Sequence, residues 1–353
     1  MVAPVEDSPQ HRLRGVDATR GVAVLSMYVA HFSTGEGVLK ALEVSEYLTA
    51  ALFSTVIGVG AELARSSPHR DGPRDLVSVV VRAAALVLLG LWLVTFGSQI
   101  LVVLVWLGVL TLVMYPLVRL PSVLLVAVAG AAFAVGPVVR ADLLGAAVPR
   151  AWLVDLTFTH PAYWLVGFLV HALTGVLAVR MVRHPRGRGL APWAALLSVV
   201  VAVGLLAAIT LDDVDVPAYS GTHLELLLTT CLCLATLALV SWAAHTLPPK
   251  LTLPLVWVGE MALTLYVLQI VFSAWVVGIR PTDNGVDVMV AAVLASLLIV
   301  LAWRAVVRLV ANDVRSGWRR GPLEGLVAAV ITLLDRLRGT MAGPIRRTSE
   351  SAT

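Results

Sequence analysis

Charge, lysine and cysteine are all scarce in this chain. Only 14% of its 353 residues are charged, against about 25% in an ordinary soluble domain. A water-facing globular surface cannot be built from so few charges. The two cysteines, Cys231 and Cys233, lie in one apolar run, which excludes a disulfide-built secreted fold and a four-cysteine zinc site. Lysine occurs only at 40 and 250, so the 26 basic residues are almost all arginine. These arginines sit in short stretches between apolar segments, a topology signal that argues against nucleic acid as a partner. There is no GxxxxGK[ST], HExxH, CxxC or GxSxG motif, so ATP-driven pumping and zinc proteolysis are unsupported. Asp212, Asp213 and Asp215 lack the rest of a calcium loop, and no resident metal or bound cofactor is expected.

Apolar residues, at 59% with a mean hydropathy of +0.90, fill the space that charge leaves. A membrane-crossing helix needs about 20 mostly apolar residues. Ten such runs are found, at 16–34, 48–64, 76–97, 99–118, 122–139, 161–181, 192–211, 223–245, 253–278 and 287–310. The expected fold is an all-α, polytopic helical membrane bundle. With the N-terminus inside, every basic residue except Lys40, Arg140, Arg150 and Arg280 falls on the cytoplasmic side, as the positive-inside rule requires. Both termini are then cytoplasmic. The first run carries Asp17 and Arg20 and has no cleavage-site pattern before or after it, so it reads as a retained helix. The expected organisation is a cytoplasmic tail at 1–15, a membrane domain at 16–310, an interfacial amphipathic helix within 311–340 and a disordered tail at 341–353. Leu323, Leu326, Val327, Val330, Leu333, Leu334 and Leu337 supply the apolar face of that last helix. The expected location is a bacterial-type plasma (inner) membrane, multi-pass, with membrane lipids as partners and oligomerisation left open.

Ionisable residues inside a span are costly and point to function. Asp17, Arg20 and His31 share one face of the first helix, since 11 residues at 100° each come within about 20° of whole turns. Arg20 and His31 are then about 17 Å apart along the axis. This face can line a polar path, or it can be an anchoring pair at one interface with a histidine at the other. His160, His223 and Glu225, at span entrances, can complete a site around His31 or simply be solvated. His171 faces the interior, for function or for a helix-to-helix hydrogen bond. Glu62 and Glu260 can pair with nearby arginines. Tyr266 and Gln269 lie three residues apart on one helix face, placed to hold a substrate or to bind helices together.

The stretch RLRGVDATRGVAVLSMYVAHF resembles the opening of the transmembrane acyltransferase superfamily, at Arg14, Val16, Asp17, Arg20 and Gly21. Arg20 to His31 has the Arg-x10-His spacing of the acyltransferase-3 branch. ALFSTVIGVGAELA (51–64), VGEMALTLYVLQ (258–269) and RRGPLEGLV (319–327) are similar to the YeiB-like branch, the domain of unknown function 418, which shares its opening with the heparan-alpha-glucosaminide N-acetyltransferase-like branch. Glu260 stands where that branch usually has Arg, and Gly325 where it has Trp.

The resemblance implies transfer of an acyl, typically acetyl, group from cytoplasmic acyl-CoA to a hydroxyl or amine of a glycan, glycolipid or other envelope acceptor. His31 would serve as general base, with Asp17 and Arg20 in the catalytic set. Arg20, Arg65, Arg70, Arg74 and Arg82 would attract the donor's phosphates. His160, His223, Glu225, Tyr266 and Gln269 would contact the acceptor. A transporter or lipid-handling protein using the same charged face is the alternative. It is less favoured because the two halves of the chain show no repeat.

Overall fold

The structure is a computed structural model that describes residues 9–33, 42–67, 72–146, 151–211, 214–280, 285–310 and 317–341. Among the described residues every regular element is helical. In chain order they are α1 (Pro9–Phe32), α2 (Val44–Arg65), α3 (Gly72–Val94), α4 (Leu104–Leu117), α5 (Ser122–Gly145), the single turn α6 (Trp152–Val154) and a π turn at Asp155–Thr159. There follow α7 (Leu165–Arg183), α8 (Pro185–Thr210), α9 (His223–Thr246), α10 (Pro249–Glu260), α11 (Ala262–Val277), α12 (Val286–Val310), a 3-10 turn at Gly317–Arg320 and α13 (Pro322–Met341). Arg70, residues 34–41, Asp212, Asp213, Arg150 and the tail at 342–353 lie outside the described residues.

Seven helices are long and apolar enough to cross a membrane, and an eighth is added if α10 and α11 count as one span. The protein is therefore an all-α, multi-pass membrane bundle. Each of the ten apolar runs contains a helix, but three differ from the expectation. α1 begins at Pro9, before the expected start at 16. The run at 99–118 is helical only over the 14 residues of α4, about 21 Å of helix. The run at 253–278 is broken at Met261, where α10 and α11 meet at 69°. The C-terminal amphipathic helix reaches 20 residues.

α1 occupies the centre, packing on α2, α9, α10, α11 and α12. Its Ala18, Ala23, Val24, Met27, Tyr28 and Phe32 are all buried. α8, by contrast, buries only Ser198 and Ala202, and its exposed Leu and Val side chains form the apolar exterior that lipid requires. Because lipid is as apolar as leucine, close backbone packing has to hold such a bundle together. That packing is seen where α10 crosses α1. A Cβ on Gly259 would overlap the carbonyl of Asp17, and one on Gly21 would overlap that of Leu255.

The break at Met261 leaves the first amides of α11 without helical partners. Glu324, from the first turn of α13, supplies them. Its Oε1 accepts from the amides of Leu263 (2.8 Å) and Thr264 (3.1 Å), and its Oε2 from the Thr264 hydroxyl (2.6 Å). The preceding Gly321 has φ of 139°, a conformation that an L side chain rarely adopts. The two stretches around ALT (262–264) and GPLE (321–324) thus form one structural unit, in which the C-terminal helix caps the broken one.

Candidate functional site: two polar stations in the bundle

At the arginine-rich end of α1, Arg20 Nη1 donates to Asp17 Oδ1 at 2.8 Å, with 38% and 21% of the two side chains exposed. A Cβ on Gly60 of α2 would stand 3.6 Å from Arg20 Nη2, so the guanidinium rests where α2 has no side chain. The pair is half open to its surroundings, and the arginine keeps donors available.

Eleven residues along the same helix, His31 is half-buried and makes no hydrogen bond among the described residues. One turn below it, Gln269 Nε2 of α11 donates to the carbonyl of Met27 at 3.4 Å. The Gln269 amide is 1% exposed and its Oε1 has no partner among the described residues. An unpaired buried acceptor costs about 1–3 kcal/mol, so this seam has unused hydrogen-bonding capacity. Tyr28 closes it, accepting from Ser296 Oγ of α12 at 2.6 Å and donating to the carbonyl of Leu265 at 3.2 Å. The Asp17, Met27 and Tyr28 side of α1 therefore meets α10, α11 and α12, while Arg20 rests against α2. Tyr266, by contrast, has its hydroxyl occupied by the amide of Val103 at 3.0 Å, so it binds elements together and leaves Gln269 as the open member of the pair.

The entrance residues do not converge on His31. His160 Nδ1 accepts from the amide of Tyr163 at 3.2 Å, and its ring lies 4.4 Å from that of Trp106. The burial that this stacking produces pushes the His160 imidazole below its ordinary value; nearby Asp155 pulls it back and Arg140 pushes it further down. His223 is exposed and bonds the carbonyl of Ala134 at 3.0 Å. Glu225 is buried at 8% exposure and accepts from the amide of Gly221 at 3.0 Å.

Glu225 belongs to a second station, a small cavity of about 20 Å³ between α2, α7 and α9. It is lined by Glu46, Glu225, His171, Thr229 and the rings of Tyr47, Trp164, Phe168 and Tyr219. Tyr219 holds φ at 63°, an unusual conformation for a bulky residue, and its ring meets Tyr163 edge-on at 5.9 Å. Glu46 and Tyr47 were not among the site residues expected from sequence, and only the cost of a carboxylate near a span could have drawn attention to Glu46.

The remaining arginines are largely committed. Arg65 holds Glu62 with two bonds, of 3.0 and 2.5 Å. Arg180 reaches the same carboxylate at 3.0 Å and also bonds the carbonyls of Leu120 and Val118. Glu62 is 1% exposed, so this is a buried, fully paired clamp joining α2, α7 and the end of α4. Arg82 lies exposed in the middle of α3, and Arg74 stands in the first turn of that helix. Glu260 pairs with Arg304 at 2.6 Å, and that guanidinium stacks 4.5 Å over Trp257. Among the described residues, no cluster of three or more His, Cys, Asp or Glu can hold a metal ion.

Residues 12–205 match the family model described as heparan-alpha-glucosaminide N-acetyltransferase, catalytic. Residues 174–332 match the protein of unknown function DUF418. No curated protein matches the chain. The first match covers more than half of the chain and includes Asp17, Arg20, His31 and His171; the second takes in Glu225, Gln269 and the Glu324 cap. The chain belongs to the heparan-alpha-glucosaminide N-acetyltransferase catalytic family, a family of membrane acetyltransferases.

Proposed function

We propose that this protein transfers an acyl group, in the first instance acetyl, from cytoplasmic acyl-CoA to a hydroxyl or amine on an envelope glycan or glycolipid. The observation that carries the reading is the arrangement of α1. A half-open Asp17–Arg20 pair stands at the arginine-rich end, and His31 stands about 17 Å away on the same face.

In this reading the donor's phosphates meet Arg20, which Asp17 holds in place and which can form a planar two-point contact. Arg74, in the first turn of α3, adds positive charge for the donor. The acceptor's oxygen or nitrogen attacks the thioester carbonyl, the carbon–sulfur bond breaks, and the coenzyme leaves as its thiol. His31 takes the proton from the attacking group, a task suited to a neutral imidazole. Gln269 Oε1 lies one turn away to orient that group. The transporter alternative draws on the broken helix at Met261, since transporters use half-helix N-termini to bind anionic substrates. In this protein the N-terminus of α11 is already filled by Glu324, which favours the enzyme.

The test is incubation of the purified protein in liposomes with labelled acetyl-CoA and envelope extract. Label appearing in an acceptor supports the reading. Intact donor together with flux of envelope solutes into the liposomes replaces it with transport.

A further inference from the structure

α13 carries two apolar faces, and the bundle covers only one of them. At 100° per residue, Leu323, Val327, Ile331 and Leu334 fall within about 80° of arc. These four are half-buried, and Leu323 packs onto the main core. Leu326, Val330, Leu333 and Leu337 fall within about 60° of arc beside them, and here 39–57% of each side chain is exposed. Periodicity alone merges the two faces; packing against α3 and α11 separates them.

The surroundings of the exposed stripe identify what it meets. α13 rests on α3, a helix long and apolar enough to cross the membrane that turns Leu76 and Val80 outward. The outer surface of such a helix is lipid, and the stripe continues it. From residue 317 to 337 every exposed charged side chain is an arginine: Arg319, Arg320 and Arg336. The two carboxylates of the segment are withdrawn, Glu324 to the amides of α11 and Asp335 to a position where its Oδ1 is buried. Trp318, 42% exposed, packs beside Gly325, and indole rings collect at the level of lipid head groups. Arginines flanking an apolar stripe complement anionic head groups above acyl chains. A second copy docked through the same face would set arginines against arginines.

Glu324, the cap of α11, lies two residues before the first leucine of the stripe. α11 in turn holds Tyr28 through the carbonyl of Leu265. We infer that the exposed stripe of α13 docks on anionic phospholipid of the adjoining leaflet, and that this docking holds Glu324 on the first turn of α11. This docking requires no acyl transfer.

The experiment uses the full chain in vesicles of phosphatidylcholine alone, or of phosphatidylcholine mixed with phosphatidylglycerol. A spin label at Ala329→Cys, an exposed position beside the stripe, reports depth through collisions with oxygen and with a water-soluble nickel chelate; both native cysteines are buried. Hydrogen exchange reports the amides of Leu263 and Thr264. In mixed vesicles the label should lie among acyl chains. Exchange at the two amides should be about 10-fold slower than in neutral vesicles, since each arginine near an anionic surface contributes roughly fivefold. Arg319→Gln combined with Arg320→Gln should remove the difference between the vesicles. Leu333→Glu should bring the label into water and speed exchange at Leu263. A label in water in mixed vesicles overturns the docking, and equal depth and exchange in the two vesicles overturns anionic lipid as the occupant. Dipolar coupling between labels that are shielded from both reagents replaces the leaflet with a second copy. A docked label with unchanged exchange overturns the hold on α11. Should Leu333→Glu fail to fold, the exposed arginine pair decides.

Discussion

Replacing Glu324 by Ala should loosen the start of α11. The carboxylate now accepts from two amides and a hydroxyl, at 2.8, 3.1 and 2.6 Å. A typical helix cap contributes about 0.5–2 kcal/mol, and each buried group left unpaired costs about 1–3 kcal/mol. With water able to reach part of the vacated space, the loss should be about 3 kcal/mol, equivalent to roughly a 100-fold rise in local opening. Hydrogen exchange read by mass spectrometry would show it as faster exchange at Leu263 and Thr264 and along the first turns of α13. Glu324→Gln should cost less, because its amide oxygen can still accept from both backbone amides. Burial pushes the Glu324 carboxyl above its ordinary value of 4.5, against the pull of these hydrogen bonds. The folded chain therefore holds this proton more tightly than the unfolded one. The resulting stabilisation is complete below 4.5 and fades as pH rises through the raised folded value. Wild type should thus lose stability relative to Glu324→Gln over that interval. Unchanged exchange at Leu263 and Thr264 in Glu324→Ala would refute the capping role.

His31→Asn should insert and fold normally while acyl transfer falls by about 10²- to 10⁴-fold; full turnover in single-turnover assays would remove His31 as the base. Arg20→Ala should weaken binding of labelled acetyl-CoA and Arg20→Lys should restore it only in part, whereas unchanged affinity in both would leave the Asp17 pair as an anchor. Glu62→Ala strips the partner from Arg65 and Arg180 and should destabilise the protein by about 3–5 kcal/mol, seen as a lower melting temperature in detergent. A tag at residue 185 should be reached only from the cytoplasm and one at 215 only from the other side, and labelling of both from one side would overturn the orientation.

The apolar runs, the arginine asymmetry and the Asp17–Arg20 spacing were legible because they are local: period, charge and distance along one helix determine them. Glu62 with Arg65 and Glu260 with an arginine were legible for the same reason, the cost of a lone charge in a span. The break at Met261 was not. The stretch 253–278 reads as one apolar run interrupted by Glu260, its only proline sits within α10, and the cap that stabilises the break comes from about 60 residues further along the chain. The cavity was equally hidden, because Glu46, His171 and Glu225 come from three helices distant in sequence and are joined only by the way α2, α7 and α9 pack. His171 was noticed for its position in mid-span, and its bond to Thr229 is the helix-to-helix contact anticipated for it. The free nitrogen on the other side of the ring could only be found in three dimensions.

The crossing of α10 over α1 has a consequence for how the protein is made. α1 enters the membrane before α10, carrying an ion pair, yet Gly259, which packs against the carbonyl of Asp17, is synthesised about 240 residues later, some 12 to 48 s at about 5–20 residues per second. Through that interval the polar face of α1 has no tertiary cover from α10, and the first turn of α11 must wait longer still for Glu324. The polar face of α1 therefore needs a host, in the insertion machinery or a membrane chaperone, until α10 and then α13 have followed it.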